Sequence, residues 1–451
     1  MTGTISKKLF GTDGIRGRAG ESPITYDMAY KIGLACVEVL KGKTSVHIVI
    51  GQDTRESGEG LVDALAQGAI AARAEVTLLG VVPTPCVCFY MQSLKLQAGI
   101  MVSASHNPYY DNGIKVFGQG SFKLDDSTEL TIEKIIERLP TRTSINKKAF
   151  QQLKGADATY QTFLKSTVPT LNLRGFKIVV DCANGATYKI APTLFESLGA
   201  EVITLGVTPN GRNINDGCGA LYVQKLQKKV LKEKARIGIA FDGDGDRVIT
   251  IDERGKVVDG ADILAVCALY LKEKKRLNKN TFVSTTMCNQ GLIKSLKPLG
   301  IEIVQTQVGD RYVLERMLQD GYNLGGEPSG HIIFQDYLPT GDGLLASLQL
   351  LKIMQEKKKS LSKLTSFIEK FPQILKNIPV REKKDFALIP DYQKAYEECK
   401  KNLGTYGRLV VRYSGTENLA RVMVEGENLK RVQDVVKSLG SIIEKDIGRE
   451  S

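Results

Sequence analysis

The sequence predicts an α/β protein of three related α/β domains with mixed sheets, followed by a smaller C-terminal α+β domain. Three observations support this fold class. The chain has 451 residues, and at about 150 residues per domain that length accommodates roughly three domains. Short apolar runs alternate with amphipathic stretches, which is typical of strand–helix–strand units. A similar segment occurs three times, at 72–85, 197–210 and 298–310.

Each of the three domains is predicted to contain a strand, a helix and a second strand, in that order. These elements are predicted at 46–50, 61–74 and 75–79, then at 176–180, 186–198 and 201–205, and finally at 282–285, 292–299 and 301–305. The repeated segments align at Glu75, Glu201 and Glu302. They are much further apart than the ~20–50 residues of a solenoid repeat, so they indicate separate domains in series.

The C-terminal part of the chain has a different pattern. Residues 371–385 carry two prolines and a run of charges, and they are predicted to be a linker. Beyond them we expect two strands and a helix, at 408–412, 420–424 and 429–444. The predicted domains are therefore 1–155, 156–256, 257–374 and 375–451.

Composition restricts the classes of protein and partner. The net charge is +12, from 62 Lys and Arg against 50 Asp and Glu. The basic runs lack interleaved aromatic residues and the sequence has no zinc-finger or RNP motif, so no nucleic-acid partner is expected. No apolar stretch approaches the ~18 residues of a membrane helix. No secretory signal and no CxxC pair occur. We expect a cytoplasmic protein without a membrane partner, either a monomer or a homodimer.

The run DGDGDR (242–247) is the strongest chemical motif. Asp242, Asp244 and Asp246 crowd on one predicted loop, and like charges ~4 Å apart repel by about 4 kcal/mol at an effective dielectric of 20. Such a cluster requires a cation, and carboxylate oxygens select Mg²⁺, Ca²⁺ or Mn²⁺. An EF-hand is excluded because Arg247 stands where that loop needs glycine and because the flanks are strand-like. A solvated acidic loop is the alternative.

The run SASHNP (103–108) follows the strand-like AGIMV (98–102). A serine just beyond a strand lies where α/β proteins bind their ligands. A hydrolase triad is hard to assemble from only three histidines, namely His47, His106 and His331. If Ser105 is a nucleophile, a metal or an attached phosphate must assist it.

Two further motifs suit a phosphorylated sugar. Arg412, Ser414, Gly415 and Thr416 form a phosphate cradle, with a guanidinium that can bind phosphate oxygens, two hydroxyls and a turn that offers N–H groups. In the run GGEPSGH (325–331), Glu327 and Ser329 suit sugar hydroxyls. The alternative structural readings are an ordinary Ser-Gly turn and a tight hairpin turn.

Together the four motifs, in this order, resemble those of the α-D-phosphohexomutase superfamily over essentially the whole chain. The family fold is three related α/β domains plus a smaller C-terminal domain. The resemblance places the phosphoserine loop in 1–155, the metal loop in 156–256, the sugar-recognition loop in 257–374 and the phosphate-binding loop in 375–451.

The resemblance also implies a role for individual residues. Ser105 is the phosphoserine, and it binds one Mg²⁺ per chain together with Asp242, Asp244 and Asp246. The remaining catalytic candidates are Arg16, His106 and Lys115, a lysine at a position suspected of proton transfer. The substrate-binding candidates are Arg247, Glu327, Ser329, Arg412, Ser414, Gly415 and Thr416.

The runs LFGTDGIRG (9–17), VGDRYV (308–313), NIN (213–215) and CG (218–219) most resemble the bacterial phosphoglucosamine mutase branch. That branch interconverts glucosamine 6-phosphate and glucosamine 1-phosphate through a bisphosphate and supplies UDP-N-acetylglucosamine and cell-wall synthesis. Pro328 stands where this branch usually has Gln, and Asn418 stands where it usually has Pro. Phosphomannomutase/phosphoglucomutase activity is therefore the first alternative. A non-catalytic sugar-phosphate or cation-binding protein is the second.

Overall fold

A computed structural model describes residues 8–11, 13–41, 46–141, 150, 152–414 and 418–449. It contains two compact units, one formed by residues 1–286 and 304–365 and the other by residues 287–303 and 366–451. Within the described ranges, no helix is both long enough and apolar enough to cross a membrane.

The first sheet is mixed and has the strand order β1-β5-β4-β2-β3. β2 pairs in parallel with β3 and β4, whereas β5 is antiparallel to both β1 and β4. Its strands and the helices of the same part of the chain are β1 (Ile15–Arg18), α1 (Tyr26–Leu40), β2 (His47–Gln52), α2 (Gly58–Ala71), β3 (Glu75–Val81), α3 (Thr84–Ser93), β4 (Ala98–Val102), β5 (Asp111–Phe117) and α4 (Asp126–Arg138).

The second sheet repeats this arrangement in the order β10-β9-β8-β6-β7. β6 is parallel to β7 and β8, and β9 is antiparallel to β8 and β10. The elements are α5 (Ala156–Ser166), β6 (Lys177–Asp181), α6 (Ile190–Ser197), β7 (Glu201–Leu205), α7 (Gln224–Glu233), β8 (Ile237–Phe241), β9 (Val248–Asp252) and β10 (Val257–Val258).

The third sheet has four strands in the order β12-β11-β13-β14, and β13 and β14 form a hairpin. The elements are α8 (Gly260–Glu273), β11 (Thr281–Thr285), α9 (Gln290–Leu296), β12 (Glu302–Thr306), α10 (Asp310–Asp320), β13 (Leu324–Gly326), β14 (Ile332–Phe334), α11 (Gly343–Lys357) and α12 (Leu361–Leu364).

The second unit contains a three-stranded antiparallel sheet in the order β15-β17-β16. Besides α9, its elements are β15 (Gln373–Pro379), α13 (Tyr392–Leu403), β16 (Arg408–Tyr413), β17 (Leu419–Glu425) and α14 (Leu429–Ile447). The apolar side of α14, which includes Val432, Leu439 and Ile443, is buried in the core of this unit.

The predicted fold class is confirmed by three mixed α/β sheets and a smaller α+β sheet. The expectation that 371–385 is a linker is wrong, because β15 occupies Gln373–Pro379 and pairs along its length with β17. Pro372 precedes this strand and Pro379 ends it. Proline is tolerated there because β15 is an edge strand, where a missing N–H breaks no ladder on the open side.

Candidate active site

The loop that carries Ser105 begins directly after β4, as expected. Ser105 is buried and has a φ of +52°, in the left-handed region that a side chain with a Cβ rarely adopts. Its Oγ donates a hydrogen bond to Asp242 Oδ2 at 2.6 Å, and its backbone N–H donates to Ser103 Oγ at 2.9 Å. The hydroxyl is therefore directed towards the aspartate cluster.

The aspartate cluster lies on the loop between β8 and β9. One oxygen from each of Asp242, Asp244 and Asp246 lies within 4.8 Å of the others, and all three residues are buried. Gly245 has a φ of +70° and permits the turn. Gly243 has a different role, because a Cβ there would lie 2.5 Å from the carbonyl oxygen of Ser105. The loop can approach Ser105 this closely only without a side chain at Gly243.

The cluster fits a hard divalent cation. Asp244 Oδ1 and Asp246 Oδ1 are buried and accept no hydrogen bond from any described residue. Buried oxygens without a donor are rare, because each loses its hydration without replacement. Two such oxygens on adjacent carboxylates, next to a third carboxylate and a serine hydroxyl, form the all-oxygen donor set that Mg²⁺ prefers.

The carboxylates of this cluster differ strongly in acidity. Burial raises the pKa of Asp242 well above its ordinary value, and the neighbouring Asp246 and Asp244 raise it further. Burial acts in the same direction on Asp246, but Lys115, His331 and Arg247 outweigh it and hold the pKa of Asp246 well below the usual range. The cluster therefore concentrates negative charge on the side that faces Lys115.

Lys115, on β5, reaches the same cluster. Its Nζ lies 2.7 Å from Asp244 Oδ2, 3.1 Å from Asp246 Oδ2 and 3.3 Å from Asp13 Oδ2. Burial lowers the pKa of Lys115, but the three carboxylates reverse this effect and raise it well above the usual value. Lys115 is therefore a charged ammonium that lies beside Asp244 and Asp246 of the aspartate cluster.

Arg16, Arg247 and His106 border the cluster. Arg16 Nη1 donates to the carbonyl oxygen of Ala104 at 3.3 Å. Arg247 Nη1 lies 3.3 Å from His106 Nδ1, which is itself 3.5 Å from Ser105 Oγ. Burial and the two arginines lower the pKa of His106 to about 4, so this imidazole is neutral at pH 7.

The sugar-loop candidates lie in the hairpin between β13 and β14. Glu327 is nearly buried, and its Oε1 accepts a hydrogen bond from the Gly309 N–H at 3.1 Å. Ser329 is exposed, and its Oγ donates to Glu327 Oε2 at 3.4 Å. The segment is therefore a hairpin turn, which was the alternative to a sugar-binding loop. The two readings are compatible, because this turn carries both Glu327 and Ser329.

Some of the residues described above line one cleft of about 420 Å³. Its lining includes residues of the serine loop, the metal loop, the sugar loop, the segment that leads into β1, β1 itself and the start of α10: Asp13, Arg16, His106, Asp246, Arg247, Gly309 and Glu327. The size suits a hexose phosphate, and the walls offer arginines for a phosphate group and a carboxylate for hydroxyls.

The phosphate-loop candidates lie in the second unit, at the end of β16. Arg412 is exposed and Ser414 is buried, whereas Gly415 and Thr416 lie outside the described residues. Two basic residues that the sequence analysis did not identify flank Ser414. Lys383 Nζ donates to the Ser414 carbonyl oxygen at 2.7 Å, and Arg421 Nη2 donates to Ser414 Oγ at 3.3 Å.

Other neighbours of the site were also missed. His331 Nδ1 lies 3.7 Å from Asp246 Oδ2, and Asp13 contacts Lys115. Arg55 and Asn215 both donate to the carbonyl oxygen of Ser105. A usable signal existed for Arg55, because the run DTR (53–55) is separated by two residues from the strand-like apolar run at 46–50, much as the serine loop follows its own apolar run.

Four family models match the chain in order. They describe the phosphoglucomutase/phosphomannomutase alpha/beta/alpha domains I, II and III, at residues 7–143, 158–255 and 259–371, and the C-terminal domain of the same family, at residues 375–439. Together these models cover most of the chain.

Several curated proteins are similar over nearly the full length. The chain is 48% identical to a phosphoglucosamine mutase of Pelobacter propionicus, with 98% of this chain and 100% of that protein aligned. It is 46% identical to that of Syntrophotalea carbinolica, over 98% of this chain and 99% of that protein. It is 47% identical to that of Chlamydia caviae, over 98% of both.

Solved structures share the fold. A phosphoglucomutase/phosphomannomutase family protein of Burkholderia thailandensis superposes with a TM-score of 0.77 at 24% identity, covering 96% of this chain and 97% of that one. The N-acetylphosphoglucosamine mutase of Aspergillus fumigatus, solved with GlcNAc-6P and magnesium, gives a TM-score of 0.68 at 16% identity, covering 98% and 96%.

Proposed function

The chain belongs to the phosphoglucomutase/phosphomannomutase family, and from that premise we propose that it is a phosphoglucosamine mutase. It interconverts glucosamine 6-phosphate and glucosamine 1-phosphate through a phosphoserine enzyme and a bisphosphate intermediate. The observation that carries the proposal is the buried Ser105 hydroxyl, 2.6 Å from a carboxylate of the aspartate cluster. The near-full-length identity to curated phosphoglucosamine mutases supports the choice of sugar.

In the proposed reaction, phosphorylated Ser105 donates its phosphoryl group to the free hydroxyl of the bound monophosphate. The Ser105 Oγ–P bond breaks and a new O–P bond forms on the sugar. The proton that the sugar hydroxyl loses ends on the departing Ser105 Oγ, which becomes a hydroxyl. The resulting bisphosphate turns around in the cleft. The phosphoryl group that was originally on the substrate is then transferred to Ser105, and the isomeric monophosphate leaves.

The donor set at Ser105 supports one Mg²⁺ per chain, held by Asp242, Asp244, Asp246 and the Ser105 phosphate. When bound, this ion withdraws charge from the transferring phosphoryl group. Arg247 and Arg16 supply further positive charge from the protein. We assign proton transfer to Lys115, a charged ammonium that contacts Asp244 and Asp246 of the cluster and can donate a proton. We place His106 beside the reacting oxygen, because its Nδ1 lies 3.5 Å from Ser105 Oγ.

Substrate recognition is divided among the remaining candidates. Glu327 and Ser329 are proposed to hold sugar hydroxyls. In support, Glu327 lines the cleft and Ser329 Oγ donates to its carboxylate. Arg412, Ser414, Gly415 and Thr416 are proposed to hold the phosphate that is not reacting, on the strength of the family resemblance.

We retain the four proposed domains, 1–155, 156–256, 257–374 and 375–451, each carrying one of the loops. The proposed partners are the phosphorylated amino sugar and its bisphosphate. The cytoplasmic location and the choice between monomer and homodimer stay predictions.

The test is a comparison of substrates. The purified full-length chain is assayed with Mg²⁺ and a trace of sugar bisphosphate on glucosamine 6-phosphate, mannose 1-phosphate and glucose 1-phosphate. We expect kcat/KM to be highest for glucosamine 6-phosphate. Faster turnover of mannose or glucose phosphates would support the alternative that Pro328 leaves open. No turnover of any hexose phosphate would support a non-catalytic binding protein.

Replacing Arg412 by alanine tests the proposed anchor for the distal phosphate. Loss of a bidentate, charge-assisted contact should raise KM by roughly 30- to 150-fold. Both glucosamine 1-phosphate and glucosamine 6-phosphate should be affected, because the same anchor serves each orientation. The variant should also depend more on added bisphosphate, since more of the intermediate escapes.

The matched control for this variant is Lys430→Ala, which removes an exposed positive charge from α14 in the same unit. It should leave both KM values within about twofold of wild type. A large KM change for only one of the two substrates would rule out a single anchor.

A further inference from the structure

Arg55 lies three residues beyond the end of β2, and among the described residues its Nη atoms donate only to the backbone of the segment around Ser105. Its guanidinium offers five N–H donors, and all of them have partners. Nε donates to Asp53 at 2.9 Å. The two Nη atoms donate to four backbone carbonyl oxygens, those of Ser105, Asn107, Pro108 and Asp111. The side chain is completely buried, so none of these bonds competes with water.

Asn215, which lies between β7 and α7, also binds the serine loop. Its Nδ2 donates to the carbonyl oxygen of Ser105 at 2.9 Å and to that of Asn107 at 3.1 Å. Two carbonyls of the serine loop therefore each receive one hydrogen bond from Arg55 and one from Asn215. Gly243, in the metal loop, closes over the same Ser105 carbonyl, leaving no space for a side chain.

A third contact fixes the backbone N–H of Ser105. Its N–H donates to Ser103 Oγ, and Ser103 Oγ in turn donates to Asp53 Oδ2 at 2.6 Å. Asp53 is also the ion-pair partner of Arg55. Both peptide groups that flank the Ser105 Cα are thus tied to one buried ion pair, and Asn215 adds a tie from the opposite side.

These ties explain how Ser105 retains a left-handed backbone. A non-glycine residue in that region costs of order 1–2 kcal/mol, and it persists only where the surroundings impose it. With the carbonyl fixed towards Arg55 and Asn215, the side chain leaves the backbone on the side of Asp242. A relaxed backbone would move the Oγ away from the aspartate cluster.

We propose that Arg55 and Asn215 are positioning residues. They hold the backbone of Ser105 so that its phosphoryl-carrying Oγ stays beside the aspartate cluster. Neither side chain is assigned to the substrate. The proposal rests on the proposed function and adds a role to it. We call the hydrogen bonds from Arg55 and Asn215 to the serine loop the clamp. Weakening the clamp should slow phosphoryl transfer while leaving sugar binding intact, because a displacement of ~1 Å at a reacting atom is enough to cost about 100-fold in rate.

Asn215 offers the cleaner test because its φ is +59°. Asn215→Asp preserves the shape and tolerates that φ, but it directs an oxygen at two carbonyl oxygens. Asn215→Gly also tolerates the φ and simply removes the amide. Asn213→Asp is the matched control. Asn213 lies two residues away, and its amide donates to the Thr208 carbonyl and not to the serine loop.

The experiment measures kcat and KM of the phosphorylated, full-length variants with glucosamine 6-phosphate, together with their thermal melting. We expect kcat to fall about 100-fold for Asn215→Asp and less for Asn215→Gly, with KM within about threefold of wild type. Asn213→Asp should match wild type in both constants. Arg55→Lys should reproduce the kcat loss, since an ammonium has three donors for the five positions that Arg55 fills.

The proposal is overturned if both Asn215 variants retain kcat within about threefold of wild type. It is also overturned if Asn213→Asp loses as much as they do, or if KM rises as far as kcat falls. Failure of both Asn215 variants to fold at the assay temperature would assign the residue a structural role instead. An inactive wild-type chain is a separate result, which contradicts the proposed function and not the clamp.

Discussion

Replacing Ser105 by alanine is expected to abolish mutase turnover while leaving the protein folded. Among the described residues, Ser105 is the hydroxyl that donates to Asp242, whereas the Thr84 hydroxyl donates to Asp244 of the same cluster. We expect Ser105 to carry the phosphoryl group, so that Thr84 does not replace it. The lost hydrogen bond costs about 1–2 kcal/mol of stability, which is a small part of the 5–15 kcal/mol typical of a folded protein. The measurement is turnover of glucosamine 6-phosphate with bisphosphate supplied.

The control for this variant is Ser197→Ala, which removes a helical hydroxyl that donates to the Leu194 carbonyl. It should retain wild-type kcat. Calorimetry on Ser105→Ala should still detect sugar phosphate, because the residues proposed to bind it are intact. Activity of Ser105→Ala within about tenfold of wild type would exclude a phosphoserine mechanism.

The second large effect is expected at Asp244. Its Oδ2 accepts hydrogen bonds from Thr84 at 2.6 Å and from Lys115 at 2.7 Å, whereas Oδ1 has no donor among the described residues. Asp244→Asn keeps the shape but removes one charge from the cluster. The loss of several kcal/mol of charge stabilisation should lower turnover by at least about 100-fold and weaken Mg²⁺ binding.

Metal removal should have the same consequence in the wild type. EDTA should eliminate turnover and Mg²⁺ should restore it, whereas Ca²⁺ should bind but support less turnover, because its coordination is looser. The control Asp434→Asn removes an exposed carboxylate of α14 and should leave Mg²⁺ dependence unchanged. Full activity in metal-free buffer would contradict a cation at this cluster. So would wild-type Mg²⁺ affinity in Asp244→Asn.

The parts of the fold that depend on local pattern were predictable. The strand expected at 201–205 is β7, and that expected at 75–79 lies within β3. The loops that carry Ser105 and the three aspartates follow β4 and β8, as the apolar runs before them indicated. Local hydrophobic periodicity decides such elements, and it is readable from one sequence.

The features that the sequence did not predict depend on contacts between residues far apart in the chain. β15 was predicted to be a linker because its prolines and charges are local signals, whereas its pairing with β17 is not. The clamp on Ser105 joins side chains 50 and 110 residues away in sequence. No motif indicates that Arg55 and Asn215 converge, since only the folded sheets place those segments side by side. Gly415 and Thr416 lie outside the described residues, and their role stays a prediction.

The most direct test of the account is the mass of the intact, purified chain, followed by mapping of any modified peptide. The account predicts a fraction of molecules heavier by one phosphoryl group, with the phosphate on Ser105. It further predicts that this phosphate passes to the sugar when glucosamine 6-phosphate and Mg²⁺ are added, and that it is absent from Ser105→Ala. A chain that turns over substrate yet never carries phosphate on Ser105, or carries it only elsewhere, would contradict the account.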